Sequence, residues 1–143
     1  MFDIKIEDEK KILYEEEGFF GEIIINSFKE SFFLPTSYWT VEQYKESWKR
    51  AIDLGVLNNN PTVLAVSMRD PEFMNFIFTW VLYPENSRVF IQNTILFKEE
   101  IKDFQVENIN SYIGTRETIN EDGDKISEWE ASKEDVLKFR DRL

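Results

Sequence analysis

The stretch that decides the fold is MNFIFTWVLYPENSRVFIQNTILF, residues 74–97. Its two halves are runs of β-branched and aromatic residues, which favour strands. The PENS sequence between them is typical of a turn, so we predict one strand over residues 74–83 and another over residues 88–97. A further apolar run, residues 63–68, precedes the first of these strands. The short polar connection of residues 69–72 separates the two. Short connections between neighbouring strands predict an antiparallel meander.

The clearest helix follows Thr40. Thr40 and Gln43 have the spacing of a capping box, in which each side chain binds a free backbone amide of the first turn. Apolar residues then recur at three- and four-residue steps and form one stripe: Val41, Tyr44, Trp48, Ala51 and Ile52. We predict a helix over about residues 40–54, ended by a left-handed Gly55. Trp39 is predicted to pack inward as a hydrophobic staple, and the alternative is an outward-facing interface anchor.

The N-terminal part is predicted to add strands to the meander. Phe2, Ile4 and Ile6 alternate with charged residues, which is the pattern of a half-buried strand. Residues 19–33 are rich in apolar and β-branched residues. We predict one or two strands there, with a turn near Gly18.

The C-terminal part is more polar. We predict mostly loop after residue 98, with a short helix at residues 107–112 and an edge strand within residues 125–130. Ser132 has cap spacing to Asp135 and opens a helix over about residues 133–142. The order of elements predicts an α+β fold, in which an antiparallel β-sheet of about five to seven strands carries both helices. A chain of 143 residues is predicted to form a single domain, residues 1–143.

The composition excludes several classes of function. The 28 acidic and 17 basic residues give a net charge of −11, which opposes binding to nucleic acid or to an anionic membrane. The chain has no cysteine and no histidine, so thiolate nucleophiles and histidine-based catalysis are excluded. We therefore predict no enzyme activity, no cofactor and no metal. Because no stretch of about 18 apolar residues is present, we expect a cytoplasmic protein.

The negative charge is concentrated in two segments. Residues 1–30 hold nine acidic and four basic residues, and residues 99–130 hold ten and three. Binding residues concentrate on loops, so we predict that both segments meet to face a basic partner. The residues predicted at this surface are Glu15, Glu16, Glu17, Glu121, Asp122, Asp124 and Glu128, with Trp129 as an apolar anchor. The alternative is that acidic loops only keep the protein soluble.

Several motifs spread over most of the chain occur together in one known family. They are GFFGEIIINSFKE at 18–30, LPTSYWTVEQY at 34–44 followed by Trp48, AVSM at 65–68, FTWVLY at 78–83 and DGDKISEW at 122–129. With these motifs the chain resembles the immunity proteins of bacterial contact-dependent growth inhibition systems. The resemblance implies a small cytoplasmic protein that binds and blocks the cognate C-terminal toxin domain. It also implies that this toxin is a basic nuclease. The family has no catalytic residue, so the resemblance assigns none to this chain.

Two other functions stay open. The carboxylates between Glu121 and Glu130 suggest a small-ligand or cation-binding module, although their spacing does not match an EF-hand loop. An exposed sheet edge would instead allow a homodimer without a toxin partner. The oligomeric state and the strand order are not determined by the sequence.

Overall fold

A computed structural model describes all 143 residues as two four-stranded antiparallel sheets and two α-helices. The first sheet contains β1 (Phe2–Ile6), β2 (Lys11–Leu13), β3 (Glu16–Ile25) and β4 (Phe28–Pro35). The second contains β5 (Thr62–Ala65), β6 (Phe76–Glu85), β7 (Arg88–Phe97) and β8 (Trp129–Ser132). The helices are α1 (Val41–Leu54) and α2 (Lys133–Asp141). The α+β class is confirmed, with eight strands in two sheets instead of five to seven in one.

The first sheet is built around the long strand β3. β4 pairs with β3 along its length on one side, while β1 and β2 follow each other along the opposite side. The turns occur at Tyr14 and Glu15 and at Asn26, which all have positive φ. The predicted turn near Gly18 is therefore wrong. Gly18 lies inside β3, where a Cβ atom would approach the carbonyl oxygen of Leu34 to 2.4 Å.

The second sheet confirms the predicted antiparallel meander, in the order β5, β6, β7, β8. β7 has the predicted bounds, and the turn before it contains Asn86 with a φ of 57°. β5 ends at Ala65, earlier than residue 68, because the N–H of Phe78 donates to Oγ of Ser67 at 2.8 Å and so does not complete the next backbone pair with Val66. The edge strand predicted within residues 125–130 is β8, shifted toward the C-terminus.

The start of α1 follows the predicted chemistry. The N–H of Thr40 donates to Oε1 of Gln43 at 2.8 Å, and the N–H of Gln43 donates to Oγ1 of Thr40 at 3.2 Å. The ring of Trp39 meets that of Tyr44 edge-on, with centroids 5.2 Å apart. The capping box and the inward-packing staple are therefore confirmed.

The end of α1 differs from the prediction. Gly55 has a φ of −97°, so it is not left-handed. A Cβ atom at Gly55 would lie 2.4 Å from the Cβ of Thr62, so the glycine provides room for the start of β5. The left-handed residue is Asn59, which ends a short 3-10 helix, Val56–Asn58.

The segment between β7 and β8 contains two 3-10 helices, Lys98–Glu100 and Val106–Tyr112. The second corresponds to the short helix predicted at residues 107–112. α2 begins after Ser132, whose side chain accepts a hydrogen bond from the N–H of Asp135 at 3.0 Å, as predicted. Neither α-helix is long and apolar enough to cross a membrane.

Both sheets and both α-helices contribute to one cluster of 24 buried residues. At its centre the indole N–H of Trp48 donates to the carbonyl oxygen of Ala65 at 2.8 Å. The sequence predicted that most strand aromatics belong to this core: Phe19, Phe20, Phe28, Phe32, Phe33, Phe76, Phe78, Trp80, Phe90 and Phe97. That prediction is wrong, because Trp80 alone among these ten is buried.

Candidate functional site

The first predicted acidic segment lies at the turn between β2 and β3. Glu15 sits in the turn itself and is exposed, and Glu17 faces Lys10 across 3.6 Å. Glu16 is bound more tightly, because both of its oxygens accept hydrogen bonds of 2.7 Å from the guanidinium of Arg69. These hydrogen bonds raise the pKa of Arg69. The carboxylate of Glu16 therefore ties the first sheet to the loop that follows β5.

The second acidic segment contains a turn organised by Asn120. Its Oδ1 accepts hydrogen bonds from the N–H of Asp122 at 3.0 Å and of Asp124 at 2.9 Å. Gly123 has a φ of 82°, a conformation that favours glycine. The side chains of Glu121, Asp122 and Asp124 are exposed around this turn. No group of three or more acidic side chains is placed so that it could hold a metal ion.

Glu128 has an internal role. It accepts hydrogen bonds from Nε of Arg116 at 2.8 Å and from Nε2 of Gln92 at 2.7 Å, and its side chain is only 14% exposed. The hydrogen bond from Arg116 holds the pKa of Glu128 below its usual range. The guanidinium of Arg116 also lies 3.7 Å above the ring of Phe90. Glu128 thus fastens the segment before β8 onto β7.

Trp129 packs between the two sheets. Its ring stacks on Phe28 of β4, with centroids 4.1 Å apart and planes 26° from parallel. Its edge meets Trp80 of β6 at 5.7 Å. Through these two contacts the half-buried side chain of Trp129 joins the two sheets.

The structure groups the predicted surface residues into two sets. Glu15, Glu16 and Glu17 lie together at one turn, and the second set comprises Glu121, Asp122, Asp124, Glu128 and Trp129. No hydrogen bond or ion pair joins the two sets, because Glu16 and Glu17 bind Arg69 and Lys10 while Glu128 binds Arg116 and Gln92. That both segments face one basic partner stays a prediction.

A groove of about 670 Å³ opens between the two sheets, and the sequence did not reveal it. Residues 30–33 of β4 form one wall. Phe78 of β6 and Ile95 of β7 lie opposite them and are 45% and 43% exposed. Glu30 lies in the groove and forms no ion pair, unlike Glu16. The signal in the sequence is the run of aromatic and apolar residues over 76–97, most of which the sequence predicts to lie in the core.

Comparison with known proteins identifies close relatives. A family model described as the CdiI N-terminal domain matches residues 34–139. The immunity protein CdiI of Enterobacter cloacae subsp. cloacae is 48% identical over 119 residues, covering 83% of this chain and 82% of that protein. A solved structure described as the CdiA-CT/CdiI toxin and immunity complex from Enterobacter cloacae contains a similar chain. It aligns with a TM-score of 0.95 and 43% identity over 99% of this chain and 97% of that one.

Proposed function

Because the chain belongs to the CdiI family of immunity proteins, we propose that it binds the C-terminal toxin domain of its own contact-dependent growth inhibition system and blocks that toxin. The observation that carries this proposal is the likeness to a chain of a toxin and immunity complex at 43% identity and a TM-score of 0.95. Because this match covers nearly the whole chain, this protein has the same fold as the similar chain in that complex.

We further propose that the toxin is a nuclease with a basic surface. A nuclease must attract phosphate groups, and an acidic inhibitor complements the positive surface that does so. The net charge of −11 supports this class of partner. The same charge makes direct binding of nucleic acid or of an anionic membrane by this chain unfavourable.

The exposed acidic turns are proposed to contribute to encounter with the toxin. Glu15 and Glu17 at one turn, and Glu121, Asp122 and Asp124 at the other, have carboxylates that face solvent. Exposed charges of this kind increase the association rate more than they increase the affinity. The predicted contacts of Glu16, Glu128 and Trp129 with the toxin stay predictions, and all three residues also hold the fold together.

The chain is proposed to act as an inhibitor without chemistry of its own, in the cytoplasm of the cell that makes it. Inhibition requires only that the toxin's active site be covered or its substrate be kept away. The lack of histidine and cysteine removes imidazole bases and thiolate nucleophiles.

A titration of toxin activity tests this function. The toxin domain encoded beside this protein is incubated with RNA or DNA and with increasing amounts of the immunity protein. We expect nucleic acid cleavage to disappear near equimolar ratio and binding to be detected by calorimetry. A toxin domain that binds but cleaves no nucleic acid would contradict the nuclease assignment, and absent binding at low salt would contradict the function itself.

A charge-reversal experiment tests the role of the acidic turn. The double variant Asp122→Lys, Asp124→Lys should associate more slowly with the toxin domain and show a weaker dependence on salt. The matched control, Glu42→Lys, Glu46→Lys, makes the same charge change on the exposed face of α1. An equal effect in both variants would show that only net charge matters and would remove the turn from the interface.

A further inference from the structure

Building on the proposed function, we infer that a segment of the cognate toxin domain docks in the groove between the two sheets. In this arrangement the segment runs along the edge of β4. It places an apolar side chain against Phe78 and Ile95 and a lysine or arginine beside Glu30.

The apolar wall of the groove has no partner within the chain. Phe78 and Ile95 are directly paired across β6 and β7, and both project from the same face of the sheet. Phe76 and Phe97 form the next pair on this face, with the ring of Phe76 5.1 Å from Phe78 and 6.3 Å from Phe97. Contiguous exposed apolar residues mark interaction sites. Aromatic side chains in such sites often carry much of the binding energy.

The opposite wall supplies free hydrogen-bonding groups. β4 pairs with β3 only, and the pair of Ile25 with Phe28 closes the two-residue turn between them. In an antiparallel ladder every second residue turns its N–H and C=O away from the partner. Ser31 and Phe33 are such residues, and no other group in the chain binds their backbone. An extended segment can therefore add to this edge as a new strand.

The charge of the groove favours a basic occupant. Arg69 neutralises Glu16 at one end, which leaves Glu30 as an exposed carboxylate without an ion pair. A second copy of this chain would bring another net charge of −11 to the same place. Repulsion between like charges disfavours that pairing. The proposed toxin, with a basic surface, has the complementary charge.

Variants of the groove test the inference by calorimetry against the purified toxin domain. Phe78→Ala, Ile95→Ala should weaken binding about 30-fold, the loss typical of truncated anchor residues. Ser31→Pro should weaken it by about tenfold or more, because proline removes the outward N–H but leaves the pairing with β3 intact. Leu57→Ala, which truncates an exposed apolar residue outside the groove, should bind as the wild type does. Melting temperatures verify that each variant is folded.

The outcomes separate this inference from the function on which it rests. Wild-type binding with unchanged affinity in both groove variants would overturn the groove as the docking site and leave the immunity function standing. A wild-type protein that does not bind would overturn the function. A free protein that sediments as a dimer, and as a monomer after Phe78→Ala, Ile95→Ala, would assign the groove to a second copy and overturn the inference.

Discussion

Tyr44 joins three parts of the molecule through one hydroxyl group. The hydroxyl donates to the carbonyl oxygen of Pro35 at 2.6 Å and accepts from the N–H of Met68 at 2.8 Å. Its ring is fully buried and packs edge-on against Trp39. The apolar spacing of α1 predicted that Tyr44 faces inward, since helical periodicity is local. Its polar partners were not predictable, because they come from the end of β4 and from the loop after β5.

Replacement of this hydroxyl should destabilise the protein. In Tyr44→Phe the buried N–H of Met68 loses its partner, and such an unsatisfied group costs about 1–3 kcal/mol. We expect the free energy of unfolding, measured in urea, to fall by this amount. Tyr38→Phe is the control, because Tyr38 is 44% exposed. Equal stability of Tyr44→Phe and the wild type would show that these hydrogen bonds make no net contribution to the free energy of unfolding.

The same residue should make stability depend on alkaline pH. Burial raises the pKa of Tyr44 well above its ordinary value of 10.0. The folded state therefore keeps a proton that the unfolded state releases, so this contribution to stability is present below about pH 10 and is lost as the pH rises further. Tyr44→Phe should lose less stability between pH 9 and about 11 than the wild type does. Burial also raises the pKa of Tyr83, which lowers stability at alkaline pH equally in both proteins. An equal loss of stability in Tyr44→Phe and the wild type would contradict the role of Tyr44.

The helices and turns differ in how far they could be predicted. The capping box and staple of α1 depend on neighbouring residues, so the sequence predicted them correctly. The sequence predicts a turn near Gly18 and a left-handed cap at Gly55, although neither glycine has a positive φ. Each is a glycine because another segment approaches it, the carbonyl oxygen of Leu34 in one case and Thr62 in the other. Such contacts arise between distant elements and leave no local pattern.

A side chain at position 18 should lower the stability of the protein. In Gly18→Ala the new Cβ would lie 2.4 Å from the carbonyl oxygen of Leu34, and a backbone atom can move only by distorting the pairing of β3 with β4. We expect a loss of about 1–3 kcal/mol, the usual cost of overpacking. Gly114→Ala is the matched control, because nothing lies within 4 Å of its added Cβ. Thermal unfolding that is equal in the two variants would contradict the close approach.

The same limit applies to the candidate site. Charge counts located the two acidic turns, but the internal pairing of Glu16 and Glu128 required the positions of Arg69 and Arg116. The groove was missed because an alternating apolar strand normally indicates a core face. On β6 this face is buried at Trp80 and exposed at Phe78. The point at which the first sheet stops covering this face depends on how the two sheets pack, which the sequence of β6 does not indicate.

The molecule as a whole is proposed to be a single domain of residues 1–143, and its unfolding tests this. The two sheets and both α-helices share one buried cluster, in which Phe2 near the N-terminus packs against Phe139 of α2 at 5.2 Å. We expect one cooperative transition in urea, with tryptophan fluorescence and far-ultraviolet circular dichroism coinciding. Two separate transitions would indicate that the sheets fold independently and would contradict the single domain.

Protection of growing cells tests the immunity function most directly. The toxin domain encoded beside this protein is produced from an inducible promoter in bacteria, with and without this protein. We expect growth to stop with the toxin domain alone and to continue when both are made, and a non-cognate immunity protein should give no protection. Arrested growth despite comparable amounts of this protein and the toxin domain would contradict the account.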